Sequence, residues 1–337
     1  MMQNTDKKTD HNIKPPFKWK RHAIIIDPME TGSGWTAHRQ MPTPIMLDKD
    51  RIRVYYTSRS SKNQAHILYV DISSKPPYQI LERPQKACLA PGPLGHFDAA
   101  GVMPTAVTRV EDEIRLYYIG WTVRQDVPYH NSIGIAVSKD GGNTFTRLFD
   151  GPIIGTSKID PLFCSTADVA RWGEGWIMWY ASTTQWIEMD RSLEPRYHLR
   201  VATSVDGLDW EPTGKIAVDY RNDSEAAVAR ATVMQEQDGF HMWFCSRDIE
   251  NYRESSDAAY RLEYATSSDG LNWHRSAKDT NVLTGQFEQQ MEFDNVMQAY
   301  PAVLETATGP ILFFNGNGFG QTGIAVALPN ETKSNNA

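Results

Sequence analysis

Cysteine is scarce in this chain. Three occur in 337 residues, Cys88, Cys164 and Cys245, far apart and odd in number. They form no CxxC motif and no disulfide framework of the kind that holds small secreted domains together. Cys164 and Cys245 fall in strand-like runs and read as small core residues. Long apolar runs are missing too: nothing approaches the roughly 18 residues that cross a bilayer. Met1–Pro16 is polar and lacks the apolar centre of a signal peptide. The expectation is a cytoplasmic protein. Basic clusters are absent, and 34 Lys and Arg against 41 Asp and Glu leave a net charge of −7 spread along the chain. Nucleic acid and anionic membranes are therefore not expected partners. The nine histidines show no metal-ligand spacing, so no metal is expected. There is no Gly-x-Ser-x-Gly elbow for acyl transfer. The glycine run Gly316-Asn-Gly-Phe-Gly320 has no helical segment after it, so no nucleotide cofactor is expected.

What the chain has is aromatic side chains and a repeat. Ten Trp, fourteen Tyr and twelve Phe accompany a 40% hydrophobic, 22% charged composition, which is that of a globular protein. The length alone suggests two domains, but repeat folds of this size form one. Five aromatic pairs recur: Tyr55-Tyr56, Tyr117-Tyr118, Trp179-Tyr180, Trp243-Phe244 and Phe313-Phe314. Ten residues before the first member of each stands a β-branched residue: Ile45, Val107, Val169, Val233 and Val303. Five copies in one register define five units of about sixty residues.

After each pair a third strand is predicted, at His66–Ile72, Ser132–Ser138, His198–Ser204, Arg261–Ser267 and Thr322–Leu328. Three of these run into Asp140-Gly-Gly-Asn-Thr-Phe145, Asp206-Gly-Leu-Asp-Trp210 and Asp269-Gly-Leu-Asn-Trp273. Asp-Gly supplies the turn, and the aromatic starts an outer strand. Strand alternation (Arg51-Ile-Arg-Val-Tyr-Tyr56) occurs without any long 3.6-residue period. The expected fold is all-β, a five-bladed β-propeller with four-stranded antiparallel blades. The fifth unit ends without its fourth strand, and Trp19–Ile26 is an unassigned strand-like run. The N-terminal strand is therefore expected to close the ring, leaving one domain over 17–329 with flexible tails at 1–16 and 330–337.

Propeller ligands sit where the inner strands open into a funnel. Polar residues just before and within the first strands are His38, Arg39, Asp98, Asp160, Glu225, Arg230, Asp294 and Tyr300; Arg59, Trp121, Arg247, Asn315 and Asn317 follow the second strands. Carboxylates, arginines and aromatics from several units suit a sugar: carboxylates for proton transfer, aromatics for the apolar ring face. The bland alternative is that the carboxylates cap turns or bond backbone amides, and that Arg230 stiffens the wall.

Phe97-Asp98-Ala-Ala-Gly-Val-Met-Pro104, Leu116-Tyr-Tyr-Ile-Gly-Trp121, Glu225 to Thr232 and Ala299-Tyr-Pro301 with Phe313-Phe-Asn-Gly-Asn317 resemble the five-bladed glycoside hydrolase superfamily, from Trp35 to Leu328. That superfamily includes family 43 arabinanases and xylosidases, family 32 fructosidases and family 130 phosphorylases. The match is closest to a bacterial glycosidase-like branch linked to surface-polysaccharide clusters. The resemblance implies cleavage or transfer of a glycosidic bond, with Asp98, Glu225 and Asp294 as acid/base candidates and His38, Arg39, Arg59, Trp121, Asp160, Arg230, Arg247, Tyr300, Asn315 and Asn317 as sugar contacts. The implied partner is a sugar or a phosphorylated or nucleotide sugar, with no cofactor. The sequence departs from the superfamily at two places: Gln40-Met-Pro-Thr43 has no acid where the first blade carries one, and Ala229 stands where the fourth blade carries a glutamate. A phosphate-dependent phosphorylase and a non-catalytic sugar-binding module are the alternatives.

Overall fold

The structure is a computed structural model that describes residues 14–27, 35–84, 86–190, 192–277, 282–287 and 292–330. Most of the two predicted tails (1–13 and 331–337) lies outside the described residues. Regular structure is almost entirely β. The first strand is β1 (Lys18–Ile26), and five groups of strands follow it in chain order. These are β2 (Trp35–Asp48), β3 (Arg51–Ser60), β4 (Ala65–Ser73) and β5 (Ile80–Glu82); then β6 (Gly101–Val110), β7 (Glu113–Val123), β8 (Tyr129–Ser138) and β9 (Thr146–Arg147). Next come β10 (Cys164–Trp172), β11 (Gly175–Glu188), β12 (Leu193–Ser204) and β13 (Glu211–Val218); then β14 (Glu225–Glu236), β15 (Gly239–Asp248), β16 (Arg261–Ser267) and β17 (His274–Arg275). The last group is β18 (Leu283–Thr284), β19 (Ala299–Leu304), β20 (Ile311–Asn315), the single turn α1 (Asn317–Gly320) and β21 (Ile324–Asn330). The turn α1 carries left-handed backbone at Gly318 and Phe319, so it is no ordinary helix.

Within each of the first four groups the strands pair antiparallel in chain order, as do β19, β20 and β21 in the last, where β18 lies parallel on β1. The first two groups share one sheet through a single parallel bridge, Ala65 to Gly101, and the third and fourth share another through Tyr197 to Ala227. In the third sheet β1 lies antiparallel on β21, from Lys18 opposite Asn330 to Ile26 opposite Ile324. The predicted turn aromatics Phe145, Trp210 and Trp273 each immediately precede an outer strand.

The pleat explains the aromatic pairs. Successive strand residues point to opposite faces, so each pair serves two interfaces. Tyr55 packs toward the second unit and Tyr56 toward the fifth; Tyr117 packs toward the third and Tyr118 toward the first. Trp179 and Tyr180, Trp243 and Phe244, and Phe313 and Phe314 divide in the same way. The core accordingly consists of five clusters, each between two units, one of them between the fifth and the first.

Hydrogen bonds repeat with the packing. Tyr55 Oη donates to the Gly142 carbonyl at 2.9 Å, Tyr117 Oη to that of Gly207 at 2.8 Å, and Trp179 Nε1 to that of Gly270 at 2.8 Å. Each ties a unit to the Asp-Gly turn of the next. The fifth unit has no such turn, because its outer strand is β1, and the buried Trp243 Nε1 has no partner among the described residues. Trp19 packs edge-on against Trp243 instead, with ring centroids 5.4 Å apart.

Candidate functional site

Every inner strand carries a register shift at the same place: Gln40/Thr43, Pro104/Ala106, Ser165/Ala167, Ala229/Thr232 and Ala299/Ala302. A bulge lets two neighbouring residues face one side, which the pleat otherwise forbids. Met41, Arg230 and Tyr300 take left-handed backbone there, with φ of 61°, 55° and 55°. Gln40 with Met41, and Ser165 with Thr166, thereby face one cavity of about 450 Å³. All five units contribute to its wall: Arg59 from the first, Met103, Ile119, Trp121, Tyr129 and Asn131 from the second, Phe163 and Tyr197 from the third, Ala229 and Tyr260 from the fourth, and Tyr300 from the fifth. Among the described residues no Asp or Glu lines it. Tyr197 and Tyr260 share a short hydroxyl–hydroxyl hydrogen bond. Burial raises the Tyr260 and Tyr300 phenols well above their ordinary value, so neither supplies a ready phenolate.

A larger groove, about 1110 Å³, lies between Phe149 and the turns 173–175 and 203–211. It draws on the second and third units alone. Its tryptophans are already engaged: Trp172 Nε1 donates to Asp269 O, Trp210 Nε1 to Gly207 O, and Arg171 stacks 4.1 Å over Trp176.

Arg230, 2% exposed, is buried among the inner strands. Its guanidinium donates to the Thr105 carbonyl, to Ala167 O at 3.3 Å, to Pro42 O at 2.9 Å and to Thr43 Oγ1 at 3.1 Å, which binds the inner strands of units one to four together. Its backbone N–H donates to Thr166 Oγ1 at 3.0 Å. Burial lowers the Arg230 guanidinium to about 10, Asp168 partly opposing. Burial likewise lifts the Asp168 carboxyl to about 6 against the pull of Arg230. Arg230 thus ties the inner strands together through its two Nη groups, while its buried Nε has no hydrogen-bond partner among the described residues.

The three acid/base candidates stand in three separate ion pairs. Asp98, fully buried, accepts from Arg147 Nε at 2.7 Å and from Tyr118 Oη at 3.2 Å. Glu225 is held by Arg275 through both carboxylate oxygens, at 2.6 and 2.7 Å, and Arg275 is shared with Glu263. Asp294 is held by Arg21 at 2.8 Å. Asp160 follows the same pattern, with Tyr180 Oη at 2.8 Å, Ser182 Oγ at 2.5 Å and Arg200 at 3.7 Å. Arg147 and Arg275 stand on the outermost strands β9 and β17 of their units, Arg21 on β1, between β21 and β18, and Arg200 on β12. Each carboxylate is therefore a clamp between the entry to a unit's inner strand and its outer strands.

A register that spacing could have revealed supports this. Asp98, Asp160 and Asp294 each stand twenty residues before the second aromatic of their unit (Tyr118, Tyr180 and Phe314), and Glu225 stands nineteen before Phe244. The carboxylate belongs to the repeat.

Of the expected sugar contacts, Arg59, Trp121 and Tyr300 line the cavity; His38, Arg39, Asp160, Arg230, Arg247, Asn315 and Asn317 do not. His38 Nε2 lies 3.3 Å from Gln321 Nε2, and Arg39 donates to Ser58 Oγ at 2.8 Å. Asn315 staples the first and last units: its Oδ1 accepts from Met41 N, and its Nδ2 donates to the carbonyls of Arg39 and Gly323. Asn317 holds the loop before β19 through Val296 N, Met297 N and Glu292 O. Arg247 stacks 3.7 Å over Tyr252 and lies 3.6 Å from Glu194. The sequence reading missed Gln40 and the tyrosines Tyr197 and Tyr260; their signal was position, at bulges and strand ends, rather than charge.

Comparison with known structures places the fold. The chain superposes on a glycosyl hydrolase from Bacteroides ovatus with a TM-score of 0.68 at 13% identity, over 96% of this chain and 98% of that one. A thermostable family-43 glycoside hydrolase gives 0.64 at 13%, over 91% and 94%. Another glycoside hydrolase gives 0.67 at 16%, over 95% and 94%. The fold is that of the glycoside hydrolase-like propellers. No protein-family model matches the sequence. Two proteins of Mycobacterium tuberculosis, Uncharacterized protein MT1551 and Uncharacterized protein Rv1502, are each 30% identical to it over 310 residues, covering 92% of this chain and 98% of their own. The chain belongs to the family of these two mycobacterial proteins.

Proposed function

We propose that this protein is a five-bladed propeller, one domain closed by β1, whose funnel binds a sugar without hydrolysing it by the two-carboxylate route. The observation that carries the reading is the cavity wall. It combines Trp121, Tyr129, Phe163, Tyr197, Tyr260 and Tyr300 with Gln40, Asn131 and Ser165 and, among the described residues, no carboxylate. Aromatic faces pack the apolar side of a pyranose, and amides and hydroxyls serve its hydroxyls. Glycoside hydrolysis requires two carboxyl groups flanking one bond, about 5–9.5 Å apart, whereas Asp98, Glu225 and Asp294 are each engaged in separate ion pairs. The five interfaces of the core support five blades, and the pairing of β1 with β21 supports the closure.

The test is titration calorimetry against a panel of mono- and oligosaccharides, alongside turnover assays with and without inorganic phosphate. Saturable binding without turnover is expected, weakened tenfold or more by Trp121→Ala. Turnover abolished by Asp98→Asn in a protein of unchanged melting temperature would overturn the reading. Turnover that requires phosphate would assign a phosphorylase instead.

A further inference from the structure

Among the described residues, Arg59 is the one side chain lining the cavity that is charged at neutral pH. The other lining groups are aromatic, aliphatic, amide or hydroxyl. Arg59 is half-buried, and burial lowers its guanidinium from the ordinary value, with the Tyr300 phenol opposing. Burial also holds Tyr300 well above its own ordinary value, so that phenol stays neutral. The wall thus supplies a cation and no anion. A cleft lined by one sign of charge, with walls of low dielectric, concentrates ligands of the opposite sign.

The backbone builds a seat beside this charge. Arg59 stands opposite Ala65, Ala65 opposite Gly101, Gly101 opposite Trp121 and Trp121 opposite Asn131. Residues directly opposite one another share a face of the sheet, so these form a row across β3, β4, β6, β7 and β8. Between Arg59 and Trp121 stand only Ala65 and Gly101, the smallest residues. A Cβ on Gly101 would lie 2.2 Å from Trp121 Nε1 and 2.7 Å from Ala65 Cβ, so the indole rests on bare backbone there. It reaches back along the row toward Arg59, whose guanidinium carbon is 5.6 Å from the ring centroid. Arg59 Nη1 donates to the neutral Asn63 Oδ1 at 2.9 Å, which holds the fork in place. The row sets a cation, an indole and an amide side by side on the cavity wall.

A guanidinium matches the oxygens of a carboxylate or phosphate in geometry as well as charge. We propose that the ligand of the funnel is an acidic sugar, its carboxylate or phosphate held by Arg59 and its ring beside Trp121. This rests on the sugar-binding reading above. The acidic group selects the ligand, and the aromatic and amide groups receive its ring.

Titration calorimetry tests this with D-glucose, D-galactose and D-mannose, their 1- and 6-phosphates and their uronic acids, and with inorganic phosphate and acetate alone. Wild type, Arg59→Gln and Arg59→Lys are compared, with thermal melts to show that the variants fold. An acidic sugar is expected to bind tenfold or more tighter than its neutral parent. Arg59→Gln should bring it down to the parent's affinity, whereas Arg59→Lys, which keeps the charge without the fork, should retain part of the advantage. A phosphate ester that outbinds the uronic acid identifies the group as phosphate, and the reverse identifies a carboxylate; either upholds the proposal. Neutral sugars that bind wild type as tightly as all their acidic forms overturn it and leave the sugar-binding reading standing, and so does an advantage that survives Arg59→Gln. If no sugar binds but inorganic phosphate or acetate does, and Arg59→Gln abolishes it, the anion site is upheld and the sugar reading fails. If no sugar and neither anion binds, both fall.

Discussion

Replacing Asp98 by Asn separates a clamp from a catalyst. The carboxylate is fully buried, accepts from Arg147 Nε at 2.7 Å and from Tyr118 Oη at 3.2 Å, and has Arg147 Nη2 2.6 Å away. Its other oxygen, Oδ1, has no hydrogen-bond partner among the described residues, and a Cβ built on Gly92 would lie 2.0 Å from it. There is thus no room for the amide to relax, and an NH2 placed on either side is poorly served. Breaking a buried pair by removing one charge costs about 3–5 kcal/mol. Arg147 is 21% exposed and recovers part of its hydration, so the lower end applies. With an unfolding entropy of about 2.1 cal/mol/K per residue, about 3 kcal/mol corresponds to a fall in melting temperature of about 4 °C for a chain of this length. Calorimetric melts of Asp98→Asn, Asp98→Leu, Arg147→Met and the apolar double variant Asp98→Leu/Arg147→Met supply the comparison, the last three closing a cycle with the wild type. The double variant is expected to recover much of the loss, because a buried pair replaced whole by packed apolar groups is often neutral. Sugar affinity should be the same in all the variants that fold. An Asp98→Asn protein that melts with the wild type yet no longer binds or turns over a sugar would refute the clamp.

Three further outcomes follow from the same geometry. Gly120→Ala places a Cβ 2.5 Å from both Asp98 Cβ and a ring carbon of Phe97, and is expected to cost about 1–3 kcal/mol in urea unfolding. Tyr55→Phe should cost more than Tyr117→Phe, because the Gly207 carbonyl keeps a bond from Trp210 Nε1 when Tyr117 loses its hydroxyl; about 1 kcal/mol is expected for Tyr117→Phe, read from the same curves. Burial pushes the Glu263 carboxyl up, but the charges and hydrogen bonds of Arg275 and Arg221 and the Ser246 hydroxyl outweigh it and hold it below its ordinary value. A depressed carboxyl contributes stability that is full above about pH 4.5 and is lost as pH falls through its folded value. Unfolding measured from pH 7 to pH 3 should therefore show a loss below about pH 4.5 that Glu263→Gln flattens; an equal slope in both proteins would contradict it.

Much of the architecture was legible because the pleat leaves a trace in one dimension. The aromatic pairs, the ten-residue spacing and the Asp-Gly turns each reflect a contact made inside one unit or with the next. The strand Trp19–Ile26 was found as the piece left over, and β1 does pair with β21. The arginine clamps were not legible. Asp98 and Arg147 lie 49 residues apart, and Arg21 and Asp294 lie 273 apart, with no local pattern joining either pair. Carboxylates near the inner strands therefore looked like a converging catalytic set, when each had a cation waiting in its own unit.

The repeat itself distinguishes the two kinds of residue. A small ligand has no fivefold symmetry, so the side chains that read it must differ between units, whereas side chains that build the units recur. The carboxylate twenty residues before the second aromatic recurs in three units and is shifted by one in a fourth. The position four residues after the first aromatic holds Arg59, Trp121, Thr183, Arg247 and Asn317, five units with four residue types. Fourteen residues before the first aromatic, at the bulge, stand Met41, Met103, Ser165, Ala229 and Ala299, five units with three residue types. Arg59, Trp121, Gln40, Ser165, Ala229 and Tyr300 all line the cavity, and none of the recurring carboxylates does. In a propeller the candidates for recognition are the positions where the units disagree, and Arg59 and Trp121, which stand at one register position of neighbouring units and both line the cavity, are the clearest of those disagreements.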